Sequence, residues 1–342
     1  MSKNSDFKKF LNEIEPSPTT KSYASKIQNN LRDYLMNHEE YGNKVIDTFL
    51  SGSYAKHTCI RPTKYDGKTD VDIVVVLNYE DTTDSKEVLD ELYKVCKEKY
   101  KNVTKQSRSI GIEFSGIEVD VVPMIEDQDS EMLKIGNKDD GTWKVTNPKG
   151  HLEWCTETNK ENNNEFVRIV KIFKWWRKNN CPDSRKYPKG ITLEKIIADN
   201  LSDCNEDYED IVYKTMKNIR DSIKASTDLG IKPFIEDPGV PLDNLAETYE
   251  FDDFKSFVNK LTSHINKLES NNFSNEVWRE VLGTEFPKAA NSLLESLRIN
   301  SIFNVSHKEK LKWEVVDGLC DIDVKIKCSD SKGNAINYNP DR

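Results

Sequence analysis

The run VDIVVVL at residues 71–77 is the most strand-like stretch of the chain, and it opens on Asp70-Val71-Asp72. Side chains alternate along a strand, so the two aspartates project on one face, roughly 6.5 to 7 Å apart. Two carboxylates facing a covered sheet are costly to bury without cations. Whatever this strand builds, it brings paired negative charge to the face of a sheet. Upstream, residues 44–50 (KVIDTFL) read as a strand that runs into the turn Ser51-Gly52-Ser53 and a short helix from about Tyr54. Downstream, residues 109–114 (SIGIEF) and 117–124 (IEVDVVPM) read as two more strands, with Asp120 set between apolar neighbours.

Alone, a D-x-D pair is common on solvated strand edges, and a Gly-Ser turn is a weaker signal still. The ordered set is more specific: strand, Gly-Ser, helix, D-h-D opening an apolar strand, then h-D-h on a later strand. Three carboxylates and one phosphate cradle are the parts of a nucleotidyl-transfer site. Asp70 and Asp72 suit shared hard cations, since Mg²⁺ prefers carboxylates completed by substrate phosphates. Two such ions activate an attacking hydroxyl and neutralise departing pyrophosphate. Asp120 would bind the ion nearest the attacking 3′- or 2′-hydroxyl. Glu118 shares its face, but the apolar residues on both sides favour Asp120. Gly52 permits close backbone approach, and the amide and hydroxyl of Ser53 suit the β- and γ-phosphates.

Elsewhere the pattern divides the chain. Helical spacings at Phe7, Phe10, Leu11 and Ile14 and at Tyr23, Ile27, Leu31, Tyr34 and Leu35 are broken by Pro16 and Pro18, with Thr19 or Thr20 as the expected cap of the second helix. Residues 84–100 form an amphipathic helix. A loop rich in Asn, Asp, Gly and Lys covers 126–164, after which periodicity turns helical: one helix carries Phe166 through Trp176, another Ile191 through Ile197, and further ones cover 207–226, 251–269 and 285–297. Short alternating runs at 311–328 look like strands. The expected organisation is α/β (α+β) and bilobal: N-terminal helices at 1–43 bridging both lobes, a catalytic core at 44–165, a helical lobe at 166–305 and a tail at 306–342.

Composition narrows the class further. With 342 residues, 36% hydrophobic and a net charge of −9, the chain reads as a soluble protein of about two structural units and not as a broad nucleic-acid-binding surface. No window approaches the roughly 18 apolar residues of a membrane span, and MSKNSDFKKF lacks a secretory apolar stretch, so the expected compartment is the cytoplasm. Seven cysteines without a C-x-x-C pair read as reduced thiols, and five scattered histidines offer no zinc spacing. Asp66-Gly67-Lys68-Thr69 mimics the end of a P-loop, but its required upstream glycine falls at Pro62. Neither a G-x-S-x-G elbow nor a G-x-G-x-x-G turn is present. Lys171, Lys174 and Lys178 lie near one another on a helix face; a solvated face is the bland reading and a triphosphate clamp the functional one.

The segments GSYAKHTCIRPTKYDGKTDVDIVVVL, IEVDVVPMI, GTWKVTNPKGHLEWCTETNK, VKIFKWWRKNN and YPKGITLEKIIADN together resemble the DNA polymerase β-like nucleotidyltransferase superfamily. Within it the chain is similar to the cGAS/DncV-like nucleotidyltransferases of bacterial anti-phage CBASS systems, nearest to their clade D. The resemblance spans roughly residues 45–200, and its NPKGH, KWW and PKG strings are the branch-specific part. It implies a catalytic sheet lobe and a helical lobe around a nucleotide pocket, and a Mg²⁺-dependent enzyme, with two ions and Mn²⁺ able to substitute. Such an enzyme joins ATP and other nucleoside triphosphates into a cyclic di- or trinucleotide second messenger for a separate effector. Carried onto this sequence, Gly52 and Ser53 hold phosphates, Asp70, Asp72 and Asp120 hold the metal ions and carry catalysis, and Lys171 or Lys174 meets the triphosphate.

Three departures accompany the likeness. Gly190-Ile191 stands where relatives often carry Ser-Tyr, 16 residues separate Ser53 from Asp70, and the tail from His307 looks like the entrance to a sensor domain with too little chain to complete it. Linear nucleotidyl transfer, as in RNA 3′-adenylation or protein nucleotidylation, is the alternative within the class, and a non-catalytic binding protein the alternative outside it. No activation by duplex nucleic acid and no membrane partner are expected. A HORMA-type protein regulator is the partner the resemblance implies.

Overall fold

A computed structural model of the chain describes residues 3–62 and 67–289, together with the backbone at 328–329 and 335–336. One compact unit comprises Met1–Lys288 and a second Ala289–Arg342. In the second unit, β10 (Cys328–Ser329) pairs antiparallel with β11 (Ala335–Ile336). The predicted helix at 285–297, over most of its length, and the tail strands at 311–327 lie outside the described residues.

The first unit begins with α1 (Lys3–Ile14) and α2 (Pro18–Met36), followed by β1 (Val45–Ser51), the four-residue α3 (Gly52–Ala55), β2 (Thr69–Leu77) and α4 (Ser85–Lys99). Next come β3 (Val103–Lys105), β4 (Ile110–Phe114), β5 (Ile117–Glu126), β6 (Leu133–Gly136) and β7 (Trp143–Thr146). The helices α5 (Pro148–Glu161), α6 (Phe166–Asn180), α7 (Gly190–Asn200) and α8 (Tyr208–Asp228) follow. The short hairpin β8 (Glu236–Asp237) and β9 (Val240–Asn244) and the helices α9 (Phe251–Ser270) and α10 (Asn275–Leu282) complete the unit.

Strands β1 to β7 form one mixed sheet in the order β1-β2-β5-β4-β3, with β6 and β7 continuing from β5. The β2–β5 pair is parallel and the rest antiparallel. A parallel pair needs a crossover, and α4 with β3 and β4 supplies it.

Period-2 alternation along β2 then decides everything about the site. Val71, Ile73, Val75 and Leu77 are buried against Ile27, Leu31 and Leu35 of α2 and Val88, Leu92 and Val95 of α4. The residues between them face the other way, where Val74 and Val76 pack with Met124 and Leu133. Asp70 and Asp72 share that second face, at the end of the strand where the apolar packing stops.

The second core joins α1 to the helices that follow the sheet. Phe7, Phe10, Leu11 and Ile14 are buried with Phe173, Trp175 and Trp176 of α6 and Trp278 of α10. Phe7 meets the Trp278 ring edge-on, with centroids 5.1 Å apart.

Two local expectations change, and one helix is added. The 126–164 stretch is no loop: it contains β6, β7 and α5, the helix being capped by Asn147, whose side chain accepts from the Gly150 amide at 2.8 Å, with Pro148 in the first turn. The second helix is capped by Ser17, whose Oγ accepts from the Thr20 amide at 3.1 Å, because Pro18 at the first helical position leaves Thr19 and Thr20 already inside the helix. And α10, too short to stand out by periodicity, is set between a Ser274 cap and Gly283 in a positive-φ conformation. Cys59, Cys96, Cys155, Cys181 and Cys204 are free thiols. Among those residues no helix is long and apolar enough to cross a membrane.

Candidate active site

Register across three strands builds the floor of the site. Ser51 on β1 pairs with Asp72 on β2, and Asp72 pairs with Asp120 on the parallel β5; Asp70 pairs with Glu118. Paired residues on neighbouring strands lie about 5 Å apart, which sets the Asp72 and Asp120 carboxylates side by side. Directly after Ser51 the chain turns at Gly52, with φ +63. A Cβ at that position would fall 1.8 Å from the Asp72 Oδ2 atom. Glycine is therefore required twice there, for its left-handed backbone and for the carboxylate that occupies the space of a side chain.

The electrostatics match the crowding. Burial, then the negative charges of Asp72, Glu118 and Asp70, push the Asp120 carboxyl up to about 7, opposed by a hydrogen bond from Gln106. Gln106 Nε2 donates to Asp120 Oδ1 at 2.9 Å and is itself held by the Ser109 hydroxyl at 2.9 Å. Gly111, opposite Asp120 on β4, leaves the room Gln106 occupies, since a Cβ there would meet its Nε2 at 2.8 Å. Asp72 is also raised, by burial and by Asp70, against the pull of Lys56 and Lys174.

A cleft of about 450 Å³ opens over this floor, lined by Gly52, Ser53, Asp70, Asp72 and Asp120. One part of its lining is the start of α5, with Pro148, His151 and Leu152, and another is Lys189, Gly190 and Ile191. At its base sits Glu194 of α7, fully buried. It takes ion pairs from Lys56 and from Lys174, the latter at 2.6 Å, and a hydrogen bond from Thr58 at 2.9 Å. Burial alone would raise the Glu194 carboxyl, but the two ammonium groups hold it down at about 2. A smaller pocket of about 110 Å³ continues past Ser53 and Asp70 and is lined by Lys68, Lys174, Arg177, Lys178 and Lys189. Carboxylates and cations thus meet at Ser53.

The structure gathers Gly52, Ser53, Asp70, Asp72, Asp120 and Lys174 in one cleft and leaves Lys171 outside it. Lys171 is one helical turn from Lys174 on the side facing α1, buried and paired with Glu15 at 2.6 Å. Glu118 is on the same strand face as Asp120 but does not line the cleft. Lys56, Glu194, His151, Arg177 and Lys189 were not predicted. Of these, Glu194 carried a usable signal: it lies three residues from both Ile191 and Ile197, on the apolar face of its helix, where an isolated carboxylate needs partners.

The donor set fits hard divalent cations. Every candidate ligand is a carboxylate oxygen, and the charge that burial and mutual repulsion penalise is what such ions neutralise. Among the described residues no three His, Cys, Asp or Glu side chains already converge on one point. That openness is normal for Mg²⁺, which takes few protein ligands and completes its shell with water and phosphate.

The Second Messenger Oligonucleotide or Dinucleotide Synthetase domain matches residues 1–159. A cyclic AMP-AMP-AMP synthase of Acinetobacter sp. (strain ATCC 27244 / 9458) is 37% identical over 302 residues, covering 85% of this chain and 87% of that protein. The fold is shared with the Bradyrhizobium diazoefficiens CD-NTase CdnG, solved with GTP, at a TM-score of 0.71 and 14% identity over 86% of this chain and 97% of that one. It is shared too with Escherichia coli MS115-1 CdnC in complex with HORMA-deltaN, at a TM-score of 0.63 and 18% identity over 83% and 98%.

Proposed function

The chain belongs to the cGAS/DncV-like nucleotidyltransferases of bacterial anti-phage CBASS systems, and we propose that it joins ATP into a cyclic adenylate trinucleotide. One observation carries the reading: a row of carboxylates and a pocket of cations meet at Ser53. The 37% identical cyclic AMP-AMP-AMP synthase supports the choice of base and ring size.

On this reading the β- and γ-phosphates lie among Lys174, Arg177, Lys178 and Lys189, beside the Ser53 hydroxyl, and the nucleoside extends into the larger cleft. Asp70, Asp72 and Asp120 would hold two Mg²⁺ ions, for which Mn²⁺ could substitute, and such ions would supply activation of the ribose hydroxyl and charge neutralisation for the leaving pyrophosphate. The chain's own groups act by position. Gly52 lets the phosphate-binding turn close on Asp72, Gln106 fixes Asp120, and Glu194 anchors Lys56 and Lys174. An in-line step then forms a bond from the ribose oxygen to the α-phosphorus and breaks the α–β anhydride, with pyrophosphate leaving toward the cations. Repetition and a final intramolecular attack close the ring.

A HORMA-type protein is the regulator favoured by the CdnC complex, and the net charge of −9 argues against activation by duplex nucleic acid. The product would act on a separate effector in the cytoplasm, where nucleoside triphosphates are made. The test is incubation with each of the four triphosphates and Mg²⁺, followed by mass spectrometry and phosphatase digestion. A phosphatase-resistant trimer of adenylate is expected from ATP alone. A phosphatase-sensitive ladder of growing length would replace this reading with linear transfer.

A further inference from the structure

His151 lies in the NPKGH string and faces the cleft, yet no step above uses it. Its ring is held on one edge. Nε2 is 2.6 Å from Asp237 Oδ1, a buried carboxylate that also accepts the amide hydrogens of Gly239 at 2.7 Å and Val240 at 3.2 Å. Burial opposes ionisation of Asp237, but these donors keep its carboxyl below the usual range. An oxygen already taking two backbone N–H groups acts as an acceptor, so Nε2 carries the hydrogen, and the tautomer this pairing selects keeps the lone pair on Nδ1. Gly239 packs on the same edge, since a Cβ there would sit 2.7 Å from His151 Cδ2. The hairpin is tied down beside it by Asn147 Nδ2, which donates to the Gly239 carbonyl at 3.0 Å. Among the described residues no protein group is hydrogen-bonded to Nδ1.

The surroundings say what this acceptor meets. Lys68, Arg177 and Lys178 line only the pocket beyond Ser53, whereas Pro148, His151 and Leu152 line only the larger cleft. A triphosphate drawn to the cations directs its nucleoside toward α5. There it finds an apolar wall of Pro148 and Leu152 interrupted by one hydrogen-bond acceptor, a surface suited to a flat heterocycle carrying an N–H donor.

We infer that His151 reads the 6-amino group of a bound adenine, accepting its hydrogen bond on Nδ1, and that Asp237 is the positioning residue that makes Nδ1 an acceptor. A 6-oxo purine would turn a carbonyl lone pair toward the same atom and be rejected. The inference rests on the adenylate reading of the cleft, but its test needs no turnover. α,β-Methylene triphosphates of adenosine, inosine and purine riboside, the last without any 6-substituent, are titrated into the full chain with Mg²⁺. The wild type should bind the adenosine compound about three- to tenfold more tightly than the purine riboside compound, the contribution of one neutral hydrogen bond, and the inosine compound weakest. His151→Ala should bind all three alike, Asp237→Ala should lose most of the discrimination, and His151→Asn, whose side-chain oxygen reaches the Nδ1 position, should restore it. Equal binding of the adenosine and purine riboside compounds by the wild type overturns the inference even if His151→Ala does not fold, as does unchanged discrimination in a folded His151→Ala. A cyclic oligoadenylate product alongside equal binding would leave the proposed function standing and remove only His151's part. Amine-selective binding with a product lacking adenine would do the reverse.

Discussion

Replacing Gly52 with alanine probes the closest approach in the active site. The new Cβ would stand 1.8 Å from Asp72 Oδ2, whereas ordinary contact begins near 3.4 Å. Either the carboxylate or the turn must therefore give way by well over 1 Å. A displacement of that size at a reacting centre costs on the order of 100-fold in rate, and the φ of +63 adds about 1–2 kcal/mol of backbone strain. Gly116 provides the control. Its φ is +72, yet nothing lies within 4 Å of its Cβ position, so Gly116→Ala carries the same backbone cost without the clash. Pyrophosphate release and thermal melting are measured on both. Gly116→Ala should lose a few degrees, at about 2–4 °C per kcal/mol, and keep wild-type turnover. Gly52→Ala should melt at a comparable temperature and fall at least about 100-fold in kcat/KM. Turnover within about threefold of wild type in a folded Gly52→Ala protein would refute the argument, because Asp72 would then not need its observed position.

Glu194→Gln removes the fully buried carboxylate that Lys56, Lys174 and Thr58 share, so urea unfolding should show a loss of about 3–5 kcal/mol. Lys174→Met should raise the KM for ATP about tenfold or more, while Lys171→Met, which removes one of the two lysine partners of Glu15 away from the cleft, should lower stability and leave KM unchanged in steady-state assays. Burial, then Lys260 and Lys267, hold the His264 imidazole down at about 4 from an ordinary 6.5, and its Nδ1 accepts from Trp176 Nε1 at 2.9 Å. The native state favours the neutral ring, so this stabilisation is complete above about pH 6.5 and is lost as pH falls toward 4. Melting curves should show about 2 kcal/mol lost at pH 5 relative to pH 8, and His264→Gln should remove that part of the acid dependence.

The amino-acid order by itself determined β1, β2, β4 and β5 and the face on which Asp70, Asp72 and Asp120 lie. Period-2 alternation at residues 69–77 and 117–126 fixes which side chains share a face, and a D-h-D opening an apolar strand leaves its acids nowhere to go but the open end of that face. Short-range chemistry of this kind is complete within a few residues, and so is the Gly52 turn. Capping is equally local, but at α2 and α5 several residues compete for the role and only the helix start chooses between them. What tertiary structure alone decided was the fate of isolated charges. Lys171 and Lys174 are one turn apart on the same helix, and neither periodicity nor composition tells which meets Glu15, just past α1, and which meets Glu194 of α7. The site's second wall was hidden for the same reason. His151 meets its partner Asp237 86 residues away along the chain. A buried ionic group takes its state from whatever the fold brings within hydrogen-bonding distance, and that distance is not measured along the chain.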